Sequence, residues 1–196
     1  MKLDAPYLEN DVISLEVLTE AHREPLRAAG AADAMWTWMP VIATGTSFDG
    51  YFDYVLKQQK HGHFIPFSIW RKSDRKFAGV AGFLDIDRTH RRLRIGYIWH
   101  PEEMRGTDIH PATQLALIER ALEARIRRIE FRVAESNERA VKAALRLGAV
   151  REGVMRNYIR IADGSWANMV MLSLIDTEAH GAMAMLKDRI HAFQSD

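Results

Sequence analysis

The sequence contains no cysteine among its 196 residues. This absence excludes disulfide bonds, thiolate-ligated metal sites and a covalent intermediate on a protein thiol. Disulfides belong to oxidising compartments, so a chain without cysteine is compatible with a reducing one. Any chemistry must therefore use other side chains or the backbone.

Long apolar runs are missing as well. The longest, residues 169–175, is interrupted by Ser173 and is far shorter than the roughly 20 residues that span a bilayer. The first residues contain no apolar core of the kind that a signal peptide has. We expect no membrane partner and a cytoplasmic location.

A strong net charge is the third missing feature. Lys and Arg total 27 against 26 Asp and Glu, which gives a formal charge of +1. This balance offers no electrostatic reason to expect a nucleic-acid partner. The basic clusters at residues 91–94 and 125–128 are short and typical of solvated faces.

Metal-ligand spacing is also lacking among the eight histidines. The nearest approach to it, His61 and His63, is typical of a loop that ends a helix. We expect no bound metal.

What is present is the composition of a globular protein. Apolar residues make up 47% and charged residues 27% of the chain, both close to average. The length suits one domain, and no linker, internal repeat or low-complexity segment is visible. We expect a single domain over residues 1–196, with a C-terminal helix at 177–193.

Alternating apolar and polar residues predict strands. In residues 93–99 every second position is apolar, and residues 129–133 repeat this pattern. Spacings of three and four in residues 48–56 and 110–125 predict helices instead. Further strands are predicted at residues 12–17, 67–70, 77–86, 150–161 and 165–175.

The strand at 93–99, the helix at 110–125 and the strand at 129–133 form a crossover unit, which implies two parallel strands. Short turns join the other neighbouring strands, so we expect antiparallel pairing there. The predicted fold class is mixed α/β (α+β). It has a central, mostly antiparallel twisted sheet of about seven strands with one parallel pair, flanked by helices.

Four motifs stand out along the chain. They are Ile95-Gly96-Tyr97-Ile98-Trp99, Arg105-Gly106-Thr107 before a helix, Asn137-Glu138-Arg139, and Arg146-Leu147-Gly148-Ala149. Together with residues 151–156 and 163–165, they resemble the RimJ/RimL-like branch of the GNAT superfamily of N-acetyltransferases. The order of the predicted elements also resembles the GNAT fold over nearly the whole chain.

The resemblance implies transfer of an acetyl group from acetyl-CoA to a primary amine by direct attack. The preferred acceptor is the N-terminal α-amine of a protein or peptide, while antibiotics, polyamines and amino acids stay open. Relatives are often monomers or homodimers. The alternative is a non-catalytic module of the same fold that binds CoA or a partner protein.

Residues 105–110 form a loop at a helix N-terminus, where free N–H groups and the helix dipole favour an anion. The resemblance implies that this anion is the pyrophosphate of CoA, with the pantetheine arm along the preceding strand end. An ordinary strand-to-helix connection is the alternative, and for Asn137 it is a plain helix cap. The implied cofactor-binding residues are Ile98, Trp99, His100, Arg105, Gly106, Thr107, Asp108, Ile109, His110 and Asn137.

Five positions depart from the family pattern. Asp108 and His110 stand where the loop usually has glycine or alanine. A carboxylate beside pyrophosphate is unfavourable unless Asp108 points away and caps the helix. Arg94 replaces a glutamate that relays the amine proton, and arginine stays protonated. Ala140 and Ala144 replace the usual general acid.

The remaining catalytic candidates are Glu130 and Tyr158, with His100 and Asp85 close to the implied site. A purely structural role is the alternative for Glu130, Tyr158 and His100. For Glu130 it is a salt bridge with Arg94 on the neighbouring strand. For Tyr158 it is a half-buried strand position, and for His100 an ordinary loop position. The reaction does not strictly need a general acid or a general base, because a thiolate leaves readily and water can accept the amine proton.

Trp36, Trp38 and Tyr51 are the candidate substrate-binding residues. The resemblance implies that residues 36–40, the helix at 48–56 and the hairpin near Tyr158 lie over the cleft that receives the acceptor. For the two tryptophans, packing in the core is the alternative.

Overall fold

Eight strands form one sheet in the computed structural model, which describes residues 3, 5–32 and 36–195. The strand order is β1-β2-β3-β4-β5-β6-β8-β7, and all neighbours pair antiparallel except β5 and β6. The strands are β1 (Tyr7–Glu9), β2 (Ile13–Val17), β3 (Phe64–Arg71), β4 (Phe77–Asp87), β5 (Arg92–Trp99), β6 (Arg128–Ala134), β7 (Val150–Arg160) and β8 (Trp166–Ile175).

Helices cover both faces of this sheet. They are α1 (Arg23–Ala29), α2 (Phe48–Lys60), α3 (Ile109–Glu123), α4 (Glu138–Arg146) and α5 (Asp176–Ser195). Short 3-10 turns at Glu20–His22, Gly45–Ser47 and Glu102–Met104 precede α1, α2 and α3. Within the described ranges, none of the helices is both long and apolar enough to cross a membrane.

The predicted mixed fold with one parallel pair is confirmed. The sheet has one strand more than expected, because β1 is only three residues long and too short to show an apolar alternation. Strand β3 begins at Phe64, three residues earlier than predicted. Its first six residues are all buried, so it reads as a continuous apolar run and not as an alternation. The C-terminal helix spans Asp176–Ser195 where residues 177–193 were expected.

Two apolar cores lie on opposite faces of the sheet. The larger one packs the sheet against α3, α4 and α5. Helix α3 has ten buried residues of its fifteen, because it is enclosed between the sheet and α5. The smaller core holds Trp36, Phe48, Phe52 and Trp99 and joins the sheet to α1 and α2.

The centre of the sheet opens between β5 and β6. These strands pair at only three positions, the last being Arg94 with Glu130. Beyond that pair, β5 continues to Trp99 along β4, while β6 continues to Ala134 along β8. The two parallel strands therefore diverge and leave a V-shaped opening between them.

A β-bulge lies on β5 at the same place. Gly96 pairs with Gly82 and Trp99 with Val80, so two residues of β5 face one residue of β4. Tyr97 in this bulge has a φ of 60°, a left-handed conformation that is rare for a bulky residue. A bulge of this kind bends the strand and frees its backbone groups from the ladder.

Gly82 gives a test of how tightly β3 and β4 pack. A Cβ at Gly82 would lie 2.5 Å from the Ile65 carbonyl oxygen. We expect Gly82→Ala to lower the free energy of unfolding by roughly 1–3 kcal/mol in urea titrations, because backbone must move. Gly181 in α5 has nothing within 4 Å of such a Cβ. Gly181→Ala should instead raise stability by roughly 0.5–1 kcal/mol. Equal effects from the two variants would contradict this packing.

Candidate active site

The opening between β5 and β6 exposes a backbone edge. From Ile95 to Trp99, none of the described strands pairs with the edge of β5 that faces β6. Unpaired N–H and C=O groups on such an edge can bind an extended ligand as a neighbouring strand would. The sequence could not show this divergence, because the apolar alternation of both strands continues beyond the last pair.

The loop after β5 is held by its own hydrogen bonds. Arg105 Nε donates to the His100 carbonyl oxygen at 2.9 Å. Thr107 Oγ1 donates to the Met104 carbonyl oxygen at 2.8 Å and accepts from the Ile109 N–H at 3.3 Å. Gly106 is exposed, with a φ of 73° that favours glycine. The loop therefore approaches the N-terminus of α3 in a defined conformation.

Asp108 is the residue before α3, but its side chain makes no capping hydrogen bond. Its carbonyl oxygen accepts from the Ala112 N–H at 3.0 Å. The pKa of Arg71 is raised chiefly by its hydrogen bond with Asp74, and the charge of Asp108 contributes as well. The charge of Asp108 thus acts on Arg71 from a distance, while Arg71 itself is paired with Asp74. The capping role considered for its side chain is not found.

The buried His100 packs against the half-buried His110. His100 Nδ1 donates to the Ala78 carbonyl oxygen at 2.7 Å, and His100 Nε2 lies 3.3 Å from His110 Nδ1. Burial lowers the pKa of His100 to about 4 and that of His110 to about 3. Both rings are neutral at pH 7, and His100 is a buried residue of the loop that directly follows β5.

Asn137 caps α4. Its Oδ1 accepts from the Ala140 N–H at 3.2 Å, which satisfies one of the free donors at the start of the helix. Sequence analysis left two roles open for Asn137, a plain helix cap and a contact with CoA. The structure shows the helix cap. Because α4 starts directly after β6, Asn137 lies near the open end of the cleft.

Glu130 lies on β6 at the point where the strands diverge, and its side chain is only 8% exposed. It accepts from Arg128 Nε at 2.9 Å and from Arg132 Nη2 at 3.1 Å. The salt bridge with Arg94, which was the structural alternative for Glu130, is not found, since Arg94 Nε donates to Asp85 Oδ2 at 2.9 Å. Residues two apart on one strand share a face, so the arginines of β6 itself reach Glu130.

Two opposing effects act on the pKa of Glu130. Burial raises it, but the hydrogen bonds from Arg128 and Arg132 together outweigh burial and lower it below its usual value. The carboxylate therefore stays ionised with its oxygens engaged. A carboxylate in this state is a weak base.

Tyr158 reaches across β8 to the polar face of β6. Its hydroxyl accepts from Arg132 Nη1 at 3.1 Å. A break in the β7–β8 register between Met155 and Ile159 brings it there. Within this bulge, Asn157 has a φ of 48° and its N–H donates to Asn168 Oδ1 at 3.0 Å. Bulges commonly redirect side chains near functional sites.

Arg132 joins the members of this polar cluster. Besides Tyr158 and Glu130, it pairs with Asp85 Oδ2 at 2.9 Å. Sequence analysis gave Arg132 no role, although its position two residues after Glu130 places both side chains on the same face of β6. The result is a connected group of Asp85, Arg94, Glu130, Arg132 and Tyr158 beside the opening.

The three candidate substrate-binding residues occupy different environments. Trp36 is fully buried, and its Nε1 donates to the Gly30 carbonyl oxygen at 2.9 Å, so it packs in the smaller core. Tyr51 stacks on Tyr97, with ring centroids 6.0 Å apart, and its hydroxyl is buried without a hydrogen-bond partner. Trp38 is 39% exposed. Core packing, the alternative for the tryptophans, is therefore found for Trp36.

Two further buried polar atoms lie near Tyr51. By strict geometry the Tyr97 hydroxyl and the Trp99 indole N–H have no hydrogen-bond partner either, although both lie close enough to the Tyr51 hydroxyl to lower its pKa slightly against the effect of burial. Burial raises the pKa of both tyrosines well above its usual value, so both keep their protons.

Among the described side chains, no group of three or more His, Asp or Glu is placed to hold a metal ion.

Comparison with known proteins places this geometry in a family. YoaA of Bacillus subtilis (strain 168), named as an uncharacterized N-acetyltransferase, is 28% identical over 159 residues, which are 79% of this chain and 88% of YoaA. A GCN5-related N-acetyltransferase from Brucella melitensis superposes with a TM-score of 0.83 at 22% identity, over 93% of this chain and 84% of that chain.

A third similar structure is Mycobacterium smegmatis RimJ in complex with CoA-disulfide. It has a TM-score of 0.75 at 19% identity, and the match covers 91% of each chain. The model of the acetyltransferase (GNAT) domain matches residues 13–150, well over half of the sequence. The chain therefore belongs to the GNAT acetyltransferase family.

Proposed function

We propose that the protein is an acetyl-CoA-dependent N-acetyltransferase that moves an acetyl group onto a primary amine by direct attack. The observation that carries this proposal is the divergence of β5 and β6 beyond Arg94 and Glu130. It leaves a free backbone edge at the end of β5, from which the chain leads through one loop to the N-terminus of α3. The CoA-disulfide in the RimJ structure supports CoA as the ligand.

The donor is proposed to bind mainly through backbone. The pantetheine arm would extend along Ile98, Trp99 and His100, whose edge facing β6 has no partner among the described strands. The pyrophosphate would lie at the N-terminus of α3, where free N–H groups favour an anion. Its implied contacts are Arg105, Gly106, Thr107, Asp108, Ile109 and His110, with Asn137 at the start of α4.

The chemical step needs a neutral amine. Its lone pair attacks the thioester carbonyl carbon, a C–N bond forms, and the C–S bond then breaks to release a thiolate. Backbone N–H groups of the bulge at Tyr97 and Ile98 are suited to stabilise the developing oxyanion. The proton lost by nitrogen leaves to solvent, and the thiolate is protonated in turn.

Tyr158 is the proposed proton donor to that thiolate. Its oxygen accepts from Arg132, which leaves the hydroxyl hydrogen free to be donated. Glu130 is better suited to holding Arg132 in place than to taking a proton, because both of its oxygens are occupied. In this proposal Glu130 is a positioning residue.

The acceptor is proposed to be an N-terminal α-amine, as the RimJ/RimL-like motifs suggest, with polyamines, amino acids and antibiotics as other amine classes. The exposed Trp38 and the partly exposed ring of Tyr51 would border its path. We also propose that the whole chain is one domain and acts in the cytoplasm as a monomer or homodimer.

A non-catalytic CoA-binding module is the second candidate function. It is favoured by Arg94 and Ala140, which replace proton-transferring residues, and by the ion pairs that occupy Glu130. Turnover separates the two functions, because a binding module would take up acetyl-CoA without releasing a thiol.

We expect the protein to release CoA thiol from acetyl-CoA in the presence of at least one amine. The measurement is thiol release with a panel of N-terminal peptides, polyamines and amino acids, alongside calorimetry with acetyl-CoA. Binding without thiol release for every amine would favour the non-catalytic module. Absence of both binding and release would contradict the proposal.

Two glycines provide a matched control for this experiment. Gly106 in the loop and Gly62 after α2 have φ angles of 73° and 74°, and nothing lies within 4 Å of a Cβ at either. Gly106→Val and Gly62→Val should therefore strain the backbone alike. Only Gly106→Val is expected to weaken acetyl-CoA binding, by about tenfold or more, because only Gly106 lies in the loop proposed to bind the pyrophosphate.

Tyr158→Phe tests the proton donor. We expect kcat to fall about 10- to 100-fold with the dissociation constant of acetyl-CoA unchanged, because the variant loses only the hydroxyl. Tyr7→Phe is the control, since the Tyr7 hydroxyl bonds Glu9 on the far edge strand. A Tyr158→Phe variant with the kcat of the wild type would show that the thiolate is protonated by water.

A further inference from the structure

We infer that His100 and His110 are positioning residues that hold the loop between β5 and α3 in the conformation that binds acetyl-CoA. This inference rests on the proposed function, since it concerns the same cofactor loop. It assigns a role to the side chain of His110, which departs from the family pattern and takes no part in the proposed chemical step.

The hydrogen bonds fix the proton positions in this pair. A carbonyl oxygen only accepts, so His100 Nδ1 must carry the proton that it donates to Ala78. In a neutral His100 ring, Nε2 is then an acceptor. The proton between the two rings must therefore belong to His110 Nδ1, which donates to His100 Nε2.

This chain of hydrogen bonds connects three parts of the fold. Ala78 lies on β4, His100 directly follows β5, and His110 is in the first turn of α3. The same His100 accepts from Arg105 through its carbonyl oxygen. Both ends of the loop and its central arginine are therefore tied to His100.

Gly79 makes room for the pair. A Cβ at Gly79 would lie 2.1 Å from the Trp99 carbonyl oxygen and 2.9 Å from His100 Nδ1. Its φ of 133° also favours glycine. The close approach of β4 to the end of β5 therefore depends on the missing side chain.

The surroundings favour a neutral pair. Burial is the main cause of the low pKa of both rings. Arg139 acts on both rings, Arg105 on His100, and Arg189 on His110, and their charges oppose protonation further. When both rings are neutral, His110 is the donor and His100 is the acceptor, so the two rings are joined by one hydrogen bond of fixed direction. The His110 ring is held toward the buried His100 by this hydrogen bond.

The test compares His110→Asn with His110→Leu. Asparagine retains an N–H donor close to the position of Nδ1, whereas leucine fills a similar volume without a donor and leaves His100 Nε2 unpaired. By calorimetry we expect acetyl-CoA to bind His110→Leu about tenfold more weakly, with His110→Asn within about threefold of wild type.

His22→Ala is the matched control for a general loss of stability. His22 is also buried, and its Nδ1 accepts from the Thr19 N–H at 2.9 Å, but it lies before α1. We expect it to lower the melting temperature without weakening acetyl-CoA binding. A His110→Leu protein that binds acetyl-CoA as tightly as wild type would overturn the inference. So would equal weakening by leucine and asparagine. A wild-type protein that does not bind acetyl-CoA would instead overturn the proposed function.

Discussion

The short pairing of β5 with β6 is the constraint on which the rest of the site depends. Backbone donors and acceptors in a protein interior need partners, and each of these strands satisfies one edge elsewhere, β5 on β4 and β6 on β8. Their facing edges keep only three residue pairs. None of the strands in the described part of the chain pairs with the remaining groups, which leaves them to solvent or a ligand. The fold itself therefore creates a slot with directional hydrogen-bonding capacity.

The polar face beside this slot is already internally paired. Arg132 contacts Asp85, Glu130 and Tyr158, and Arg94 is held by Asp85. Side chains held in ion pairs are fixed in position and exchange protons poorly, because a change of protonation would break an ion pair. Acyl transfer in such a site depends on alignment and backbone dipoles more than on a dedicated base. Tyr158 is the member that keeps a hydrogen to donate.

Much of the fold could be predicted because its periodicity is local. The alternation in β5 and β6 and the helical spacing of α3 identified the crossover unit and hence the parallel pair. The divergence could not be predicted, because Phe131 and Val133 keep the same alternation whether or not β5 is their neighbour. The bulges were hidden for a similar reason. Tyr97 and Asn157 adopt left-handed conformations within segments that otherwise have the composition of strands.

The partners of charged residues were the least predictable part of the site. Arg92, Arg94, Arg128 and Arg132 all lie within reach of Glu130 by strand spacing, and only packing decides among them. The same limit applies to the departures in the cofactor loop. A histidine in place of a small residue obstructs a phosphate only if its ring points outward. At position 110 the ring turns toward the buried His100, because His100 Nε2 accepts a hydrogen bond from it. Gly79 makes this possible, because a side chain at that position would collide with the His100 ring. A residue that departs from a family pattern has to be judged together with the residues that receive its side chain.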